Sequence, residues 1–162
     1  MDNNHTKIVD NFLHKELYQR LYDVMMSADF AWFHNSSVAQ DYSKDGIYFT
    51  HSFYNNYTIT SNHFNLVKPI IDVIKPKALI RVKGNLYTKT HQIYEHDAHT
   101  DYRYNHKGFL FYINTNNGFT KISNKKVMSV ANRGVYFDSS KPHNSSTCSD
   151  ESVRVNININ YF

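Results

Sequence analysis

The chain has one cysteine, Cys148, among 162 residues, so it cannot form an internal disulfide. A reducing compartment, the cytoplasm, is the expected location. Three prolines and five glycines are too few to make every turn, which leaves most of that task to Asn, Asp and Ser. No run of about 18 apolar residues occurs, so no membrane-spanning helix is expected. The opening MDNNHTKIVDNF lacks the apolar stretch of a secretory signal. The Asn-x-Ser/Thr triplets, such as Asn56-Tyr57-Thr58, are then chance matches in an Asn- and Ser-rich chain. Basic charge is also thin: 18 Lys and Arg against 14 Asp and Glu leave +4, and the longest basic run is Lys125-Lys126. A nucleic-acid stripe would be denser, so nucleic acid is a weakly supported partner.

Aromatic residues are plentiful. Thirteen Tyr and 11 Phe bring the aromatic share to 15%, which suits strand-rich architecture. The length fits one domain, 1–162, with a sizeable core. The abundance of Asn, Tyr, Ile and Lys matches an AT-rich genome, such as that of many phages, which suggests a viral source.

Periodicity predicts a short strand over 7–9 and a helix over 13–27, with Leu13, Leu17, Leu21 and Val24-Met25 on one face. A strand is expected over 30–33. Residues 34–62 read as polar, aromatic and irregular, with a strand over 46–53, and long segments of this kind often form lids or binding loops. Tyr48 or Phe49 is expected near the open side of the site. A second helix is expected over 64–74, ending before Pro76, with Pro69 kinking it or marking its start. From residue 79 the pattern changes to short strands: 79–87, 108–114, 119–122, 127–130 and 134–137. Asn117-Gly118 is expected to turn a hairpin between residues 108–114 and residues 119–122. The end, SVRVNININYF, alternates strictly. Val153, Val155, Ile157, Ile159 and Tyr161 share one face, and Arg154, Asn156, Asn158 and Asn160 the other. The expected fold is mainly β with flanking helices: a double-stranded β-helix (jelly-roll, cupin-like) barrel with the N-terminal helices packed on one sheet.

The densest chemistry lies in EHDAHTDY, residues 95–102. In an extended segment, positions two apart point the same way, so His99 and Asp101 share a face with Asp97, and His96 points opposite. The one other His-x-carboxylate, His14-Lys15-Glu16, falls in the expected helix, where a two-residue step separates the side chains. His143, after a short strand and a turn, supplies a third ligand. Two His and one carboxylate on one octahedral face leave positions open for Fe(II) oxygen chemistry. Arg154 has no acidic residue among its same-face neighbours. A dicarboxylate held by its guanidinium fork would supply one. The apolar face of the last strand should then cover the helices, with Arg154 pointing into the barrel.

His99-x-Asp101, His143 and Arg154 in this order resemble the 2-oxoglutarate/Fe(II)-dependent dioxygenase superfamily, and more closely its prolyl-4-hydroxylase-like branch. IVDNFLHKELYQRLYDVM and RVNININYF are similar to that branch's first strand and helix and its last strand. The resemblance implies His99, Asp101 and His143 as catalytic Fe(II) ligands, with Arg154 on the distal carboxylate of 2-oxoglutarate. It also implies Tyr87 as a cosubstrate-binding hydroxyl and Asn85, from Asn85-Leu86-Tyr87, as a further cosubstrate contact. The implied activity consumes O2 and 2-oxoglutarate, hydroxylates a substrate C–H, and releases succinate and CO2; ascorbate is an expected reductant. A protein substrate, with a peptidyl residue such as proline, is favoured. The chain departs from the family in two ways: Asn117-Gly118 stands where many relatives have paired glycines, and Arg154 where collagen-type members have Lys. Other classes fit part of the pattern: a nucleic-acid-modifying member, a cupin-like metal binder without oxygenase chemistry, or an interaction protein using Trp32, Tyr48, Tyr102 and Tyr104 as a contact surface.

Overall fold

The computed structural model describes residues 6–36 and 48–162. Its elements run β1 (Lys7–Val9), α1 (Lys15–Met25), β2 (Phe33–Asn35), β3 (Tyr48–Asn55), β4 (Thr58–Ile59), α2 (Phe64–Ile74) and β5 (Leu79–Thr88). They continue with β6 (Lys107–Tyr112), β7 (Phe119–Ile122), β8 (Lys125–Met128), β9 (Arg133–Asp138), β10 (His143–Ser145) and β11 (Val153–Tyr161). The larger sheet has the order β1-β9-β6-β11-β5-β3-β2, with β4 paired to β3, and the smaller one is β10-β7-β8. All pairings are antiparallel. Isolated bridges at Glu95 and His99 lay the 95–99 segment along β10 as a further ragged edge. The jelly-roll expectation describes this architecture.

β11 separates two cores because its side chains alternate. Val155, Ile157, Ile159 and Tyr161 pack with Leu21 and Met25 of α1 and with Val67 and Ile70 of α2 on the outer face of the larger sheet. A smaller cluster, Leu110, Tyr112, Ile122, Val127, Val135 and Phe137, lies between the two sheets. The inner space is therefore closed by apolar side chains at one flank and left polar along β5 and β11.

Several local expectations need correction. Leu17 of α1 is 44% exposed, so the apolar stripe runs through Leu13, Leu21 and Met25. The second strand, expected over 30–33, begins only at Phe33 and runs to Asn35. Pro69 lies inside α2 and does not start it. That helix ends on Lys75, held in the left-handed region at φ 52° before Pro76. Asn117-Gly118 turns no hairpin: β6 already has β9 on one edge and β11 on the other, so β7 has no edge to join and crosses to the smaller sheet. The two-residue hairpin is instead Ser123-Asn124, between partners Ile122 and Lys125, with Ser123 at φ 55°. In the irregular 34–62 segment, residues 48–55 form a strand paired to β5. Residues 37–47 of the expected lid lie outside the described residues.

Candidate metal centre and its cavity

The inner face of the β5–β11 pair is a ladder of four rungs: Tyr87 opposite Arg154, Asn85 opposite Asn156, Lys83 opposite Asn158, and Arg81 opposite Asn160. Between this wall and the smaller sheet lies a cavity bordered by Tyr48, Lys83, Asn85, Tyr87, His99, Asp101 and His143 among others. Its chemistry changes along the rungs.

At the Lys83 and Arg81 rungs, His99, Asp101 and His143 offer ligand atoms that all lie within 4.8 Å of one another. The two histidines are placed by a backbone bridge: His99 N–H donates to the His143 carbonyl at 2.9 Å and His143 N–H to the His99 carbonyl at 3.0 Å. The Nε2 atoms of His99 and His143 stand 3.9 and 3.8 Å from the Asp101 oxygens. His143 Nδ1 lies 2.9 Å from the Lys141 carbonyl, the contact of an Nδ1–H donor, which leaves Nε2 with a free lone pair for a metal. Burial, then the neighbouring His143, holds the His99 imidazole below its ordinary value, so it favours the neutral form that coordination needs.

Asp101 is fixed by four donors: Arg81 Nη2 at 3.0 Å, Ser139 Oγ at 2.6 Å, Asn160 Nδ2 at 2.8 Å and Asn158 Nδ2 at 3.3 Å. Burial alone would raise its carboxyl. Arg81, His143, Ser139 and Asn160 outweigh it and hold the group well below the usual carboxylate range. The carboxylate is thus ionised and oriented. Two neutral imidazoles and one carboxylate suit a divalent transition metal such as Fe(II).

Arg154 occupies the opposite end. It is 0% exposed, and its stem passes between the sheets. Nε donates to Ser129 Oγ at 2.8 Å, Nη1 to the Ser146 carbonyl at 3.2 Å and Nη2 to Thr120 Oγ1 at 2.9 Å. The guanidinium also faces the rings of Tyr87 and Tyr112 at 5.3 and 5.6 Å. All these partners are neutral, and among the described residues no carboxylate pairs with it. Arg154 does not itself border the cavity, whereas Thr120 and Tyr87 do, so the cation lies just behind the floor. Gly118 makes room for it: a Cβ there would stand 2.6 Å from Arg154 Cδ and 2.7 Å from the Thr147 carbonyl oxygen.

The remaining expected residues fall as follows. Asn85 borders the cavity and donates to Asn156 Oδ1 at 2.9 Å. Tyr87 is buried beneath Tyr48, their rings stacked at 5.5 Å. Tyr48 borders the cavity, as expected of it or Phe49; Phe49 pairs with Leu86, on the other side of the strand. Asp97, expected to share a face with His99 and Asp101, is exposed and outside the ligand group, because residues 96–98 and 100 carry no ladder pairing to enforce alternation. His96 is the buried one, 2.8 Å from Ser145 Oγ and against Tyr87. His14 and Glu16 are not held apart by a helical turn as expected: His14 precedes α1 and its Nδ1 contacts the Glu16 carboxylate, but both are exposed and among the described residues no third ligand joins them.

Arg81, Lys83, Ser139, Asn158 and Asn160 went unnoticed as site residues. A signal was present: IRVKGNLYT puts Arg81, Lys83, Asn85 and Tyr87 at every second position, the same polar alternation as RVNININ. Lys83 is the most consequential. Burial, then the charge of Arg81, pulls its ammonium down to about 7, with Asp101 opposing.

A scan of family models and a search of curated proteins return no match to the sequence. Solved structures do match. A Trichoplax adhaerens prolyl hydroxylase bound to a hypoxia inducible factor peptide aligns at TM-score 0.69 and 15% identity, over 99% of this chain and 84% of that one. A Pseudomonas putida prolyl-4-hydroxylase aligns at 0.66 and 13%, over 98% and 93%. The viral collagen prolyl hydroxylase of Paramecium Bursaria Chlorella virus-1, in its 2-oxoglutarate complex, aligns at 0.63 and 10%, over 98% and 96%. A 2OG-Fe(II) oxygenase family protein from Burkholderia pseudomallei gives 0.69 and 9%, over 96% and 84%. This chain has the jelly-roll fold of the prolyl hydroxylases and 2OG-Fe(II) oxygenases.

Proposed function

We propose that the protein is an Fe(II)- and 2-oxoglutarate-dependent dioxygenase that hydroxylates a peptidyl residue, with proline favoured. The observation that carries this reading is the combination, on one inner wall, of a His99–Asp101–His143 ligand group and a buried cation, Arg154, with only neutral partners. An unpaired buried charge is costly unless a ligand uses it.

In this reading His99, Asp101 and His143 hold Fe(II). When bound, iron and cosubstrate would supply the oxygen chemistry, one oxygen atom of O2 entering succinate as 2-oxoglutarate loses CO2 and the other entering the substrate C–H. Arg154 takes the distal carboxylate, exchanging its Thr120 contact for a charge-assisted one. Tyr87 and Asn85 orient the cosubstrate between the cation and the metal. Arg81, Ser139, Asn158 and Asn160 keep Asp101 ionised and stationary. O2 would be the second cosubstrate, and ascorbate or a reducing compartment would return to the ferrous state any iron oxidised outside the balanced reaction. The peptide bound to the Trichoplax adhaerens structure favours a protein substrate. No helix among the described residues is long and apolar enough to cross a membrane.

The test is succinate formation from 2-oxoglutarate, with and without Fe(II), against panels of peptides, nucleic acids and amino acids. Iron-dependent succinate, stimulated by a proline-containing peptide, is the expected result. Stimulation by nucleic acid alone would move the substrate class. Metal binding without any succinate would leave a cupin-like metal binder.

A further inference from the structure

The cavity holds a second basic group that the proposed cosubstrate does not use. Lys83 borders the same cavity as His99, Asp101 and His143. Its ammonium has the Tyr48 hydroxyl at 3.4 Å and the Tyr48 ring at 5.6 Å, and among the described residues no carboxylate pairs with it. Asp101 cannot serve it, because that carboxylate already accepts from Arg81, Ser139, Asn158 and Asn160. Opposite Lys83 on the ladder, Asn158 points its amide nitrogen at Asp101 and leaves Oδ1 buried without a partner. One rung therefore presents a basic amine with no carboxylate partner and a buried acceptor with no donor.

Position decides which molecule these groups serve. Arg154 and Lys83 occupy rungs two apart, with Asn85 and Asn156 on the rung between them. At about 3.4 Å per residue, the four residues from Arg154 to Asn158 span roughly 13 Å of strand. A cosubstrate anchored at Arg154 runs from that end towards the metal and passes the Asn85–Asn156 rung first. Lys83 stands beyond that rung, level with the metal ligands, where a substrate has to bring its reacting carbon.

We infer that Lys83, with Asn158, is a specificity-determining pair that selects a substrate carrying a carboxylate, and next to it a hydrogen-bond donor, close to the C–H to be oxidised. This rests on the dioxygenase reading for the identity of the reaction and deepens it by naming the substrate's chemistry. Lys83 donates to the carboxylate in a charge-assisted bond, and Asn158 Oδ1 accepts from the adjacent N–H or O–H. The carboxylate can come from a free α-carboxyl group or from an acidic side chain within a peptide.

The probe is carbon-13-labelled acetate, titrated into protein loaded with Mn(II) and saturated with 2-oxoglutarate, with line broadening by the paramagnetic metal as the readout. Saturable broadening is expected in the native protein. Its affinity should fall at least tenfold in Lys83→Met and stay within threefold in Lys83→Arg, while 2-oxoglutarate affinity is unchanged in both. No saturable broadening in the native protein, or equal affinity in Lys83→Met, overturns the inference. A tenfold loss of 2-oxoglutarate affinity in Lys83→Met also overturns it, by assigning Lys83 to the cosubstrate. Failure of the native protein to bind 2-oxoglutarate would sink the dioxygenase reading instead, and the acetate titration on the Mn(II) form would still decide for or against Lys83. Two competition arms identify the source of the carboxylate: free proline, whose α-carboxyl group has an N–H beside it, and an end-blocked peptide with Pro beside Asp. The stronger competitor against acetate is the source. Equal competition by the corresponding amides overturns the requirement for a carboxylate.

Discussion

The two faces of β11 are equally buried and do opposite things. The outer face, Val155, Ile157 and Ile159, is 0% exposed and packs on the helices. The inner face carries Arg154, Asn156, Asn158 and Asn160, also buried, in hydrogen bonds to side chains of the site. Outer-face burial is favourable in itself, because apolar area leaves water. Inner-face burial is not, since each amide and the guanidinium give up hydration and recover only part of it. A strand that buries four polar residues in a row of alternate positions has stability supplied from its other side and function on this one.

The largest effect that would break this contrast is on the outer face. Ile157→Ala should cost about 2–5 kcal/mol of stability, as large-to-small core changes do, read as a shift in the urea midpoint. The folded variant should keep native metal affinity, because Ile157 points away from the cavity; a lost metal site would show that the faces are coupled.

Arg154→Met should act in the other direction. Loss of a charge-assisted bond worth about 1.5–3 kcal/mol corresponds to roughly ten- to hundredfold weaker 2-oxoglutarate binding, measurable by calorimetry, with metal affinity unchanged. The ligand-free variant should be at least as stable as the native protein, since a buried cation without an acidic partner is removed. A marked loss of stability would mean that Ser129, Ser146 and Thr120 alone justify the charge.

Gly118→Ala tests the same end through shape. The new methyl meets both the Arg154 stem and a backbone carbonyl oxygen, so both have to give way or the Gly118 backbone has to shift. Overpacking of this kind costs about 1–3 kcal/mol. Cosubstrate affinity should weaken several-fold, and unaltered affinity would show that the stem is free to shift.

The smallest effect belongs to neither face. Asp10 accepts from Arg133 Nε and Nη2 at 2.5 and 3.0 Å, joining the loop after β1 to β9. The Arg133 hydrogen bond holds the Asp10 carboxyl below its ordinary value. Because the folded value is depressed, the pair's contribution is present above the ordinary carboxylate range and is lost as pH falls through the folded value. The pair is largely solvent-exposed on the Asp10 side, so Asp10→Asn should cost only about 0.5 kcal/mol near neutral pH and nothing in strong acid.

Legibility followed period and length. The strict alternation of 153–161 names that strand outright, because it repeats its signal over several pleats. β10 is three residues long and has no period to detect, so His143 reads only as a residue after a turn. Asp97 misled for a related reason: parity predicts a face only where a ladder holds the backbone extended, and the 95–101 segment is pinned at two bridges. Lys83 and Arg81 were readable in the alternation of β5. Their significance was not, since it depends on the strand's lying beside β11 with its polar face inward.

The sequence by itself determined the alternating last strand and the presence of the two helices, since these rest on local patterns along one chain. Only the tertiary structure decided that β6 has no free edge for β7, that Gly118 clears a path for Arg154, and that Asn158 and Asn160 orient Asp101 from some 60 residues away. The physical reason is that edge occupancy, steric clearance and long-range hydrogen bonds belong to pairs of segments, and no single segment carries their pattern.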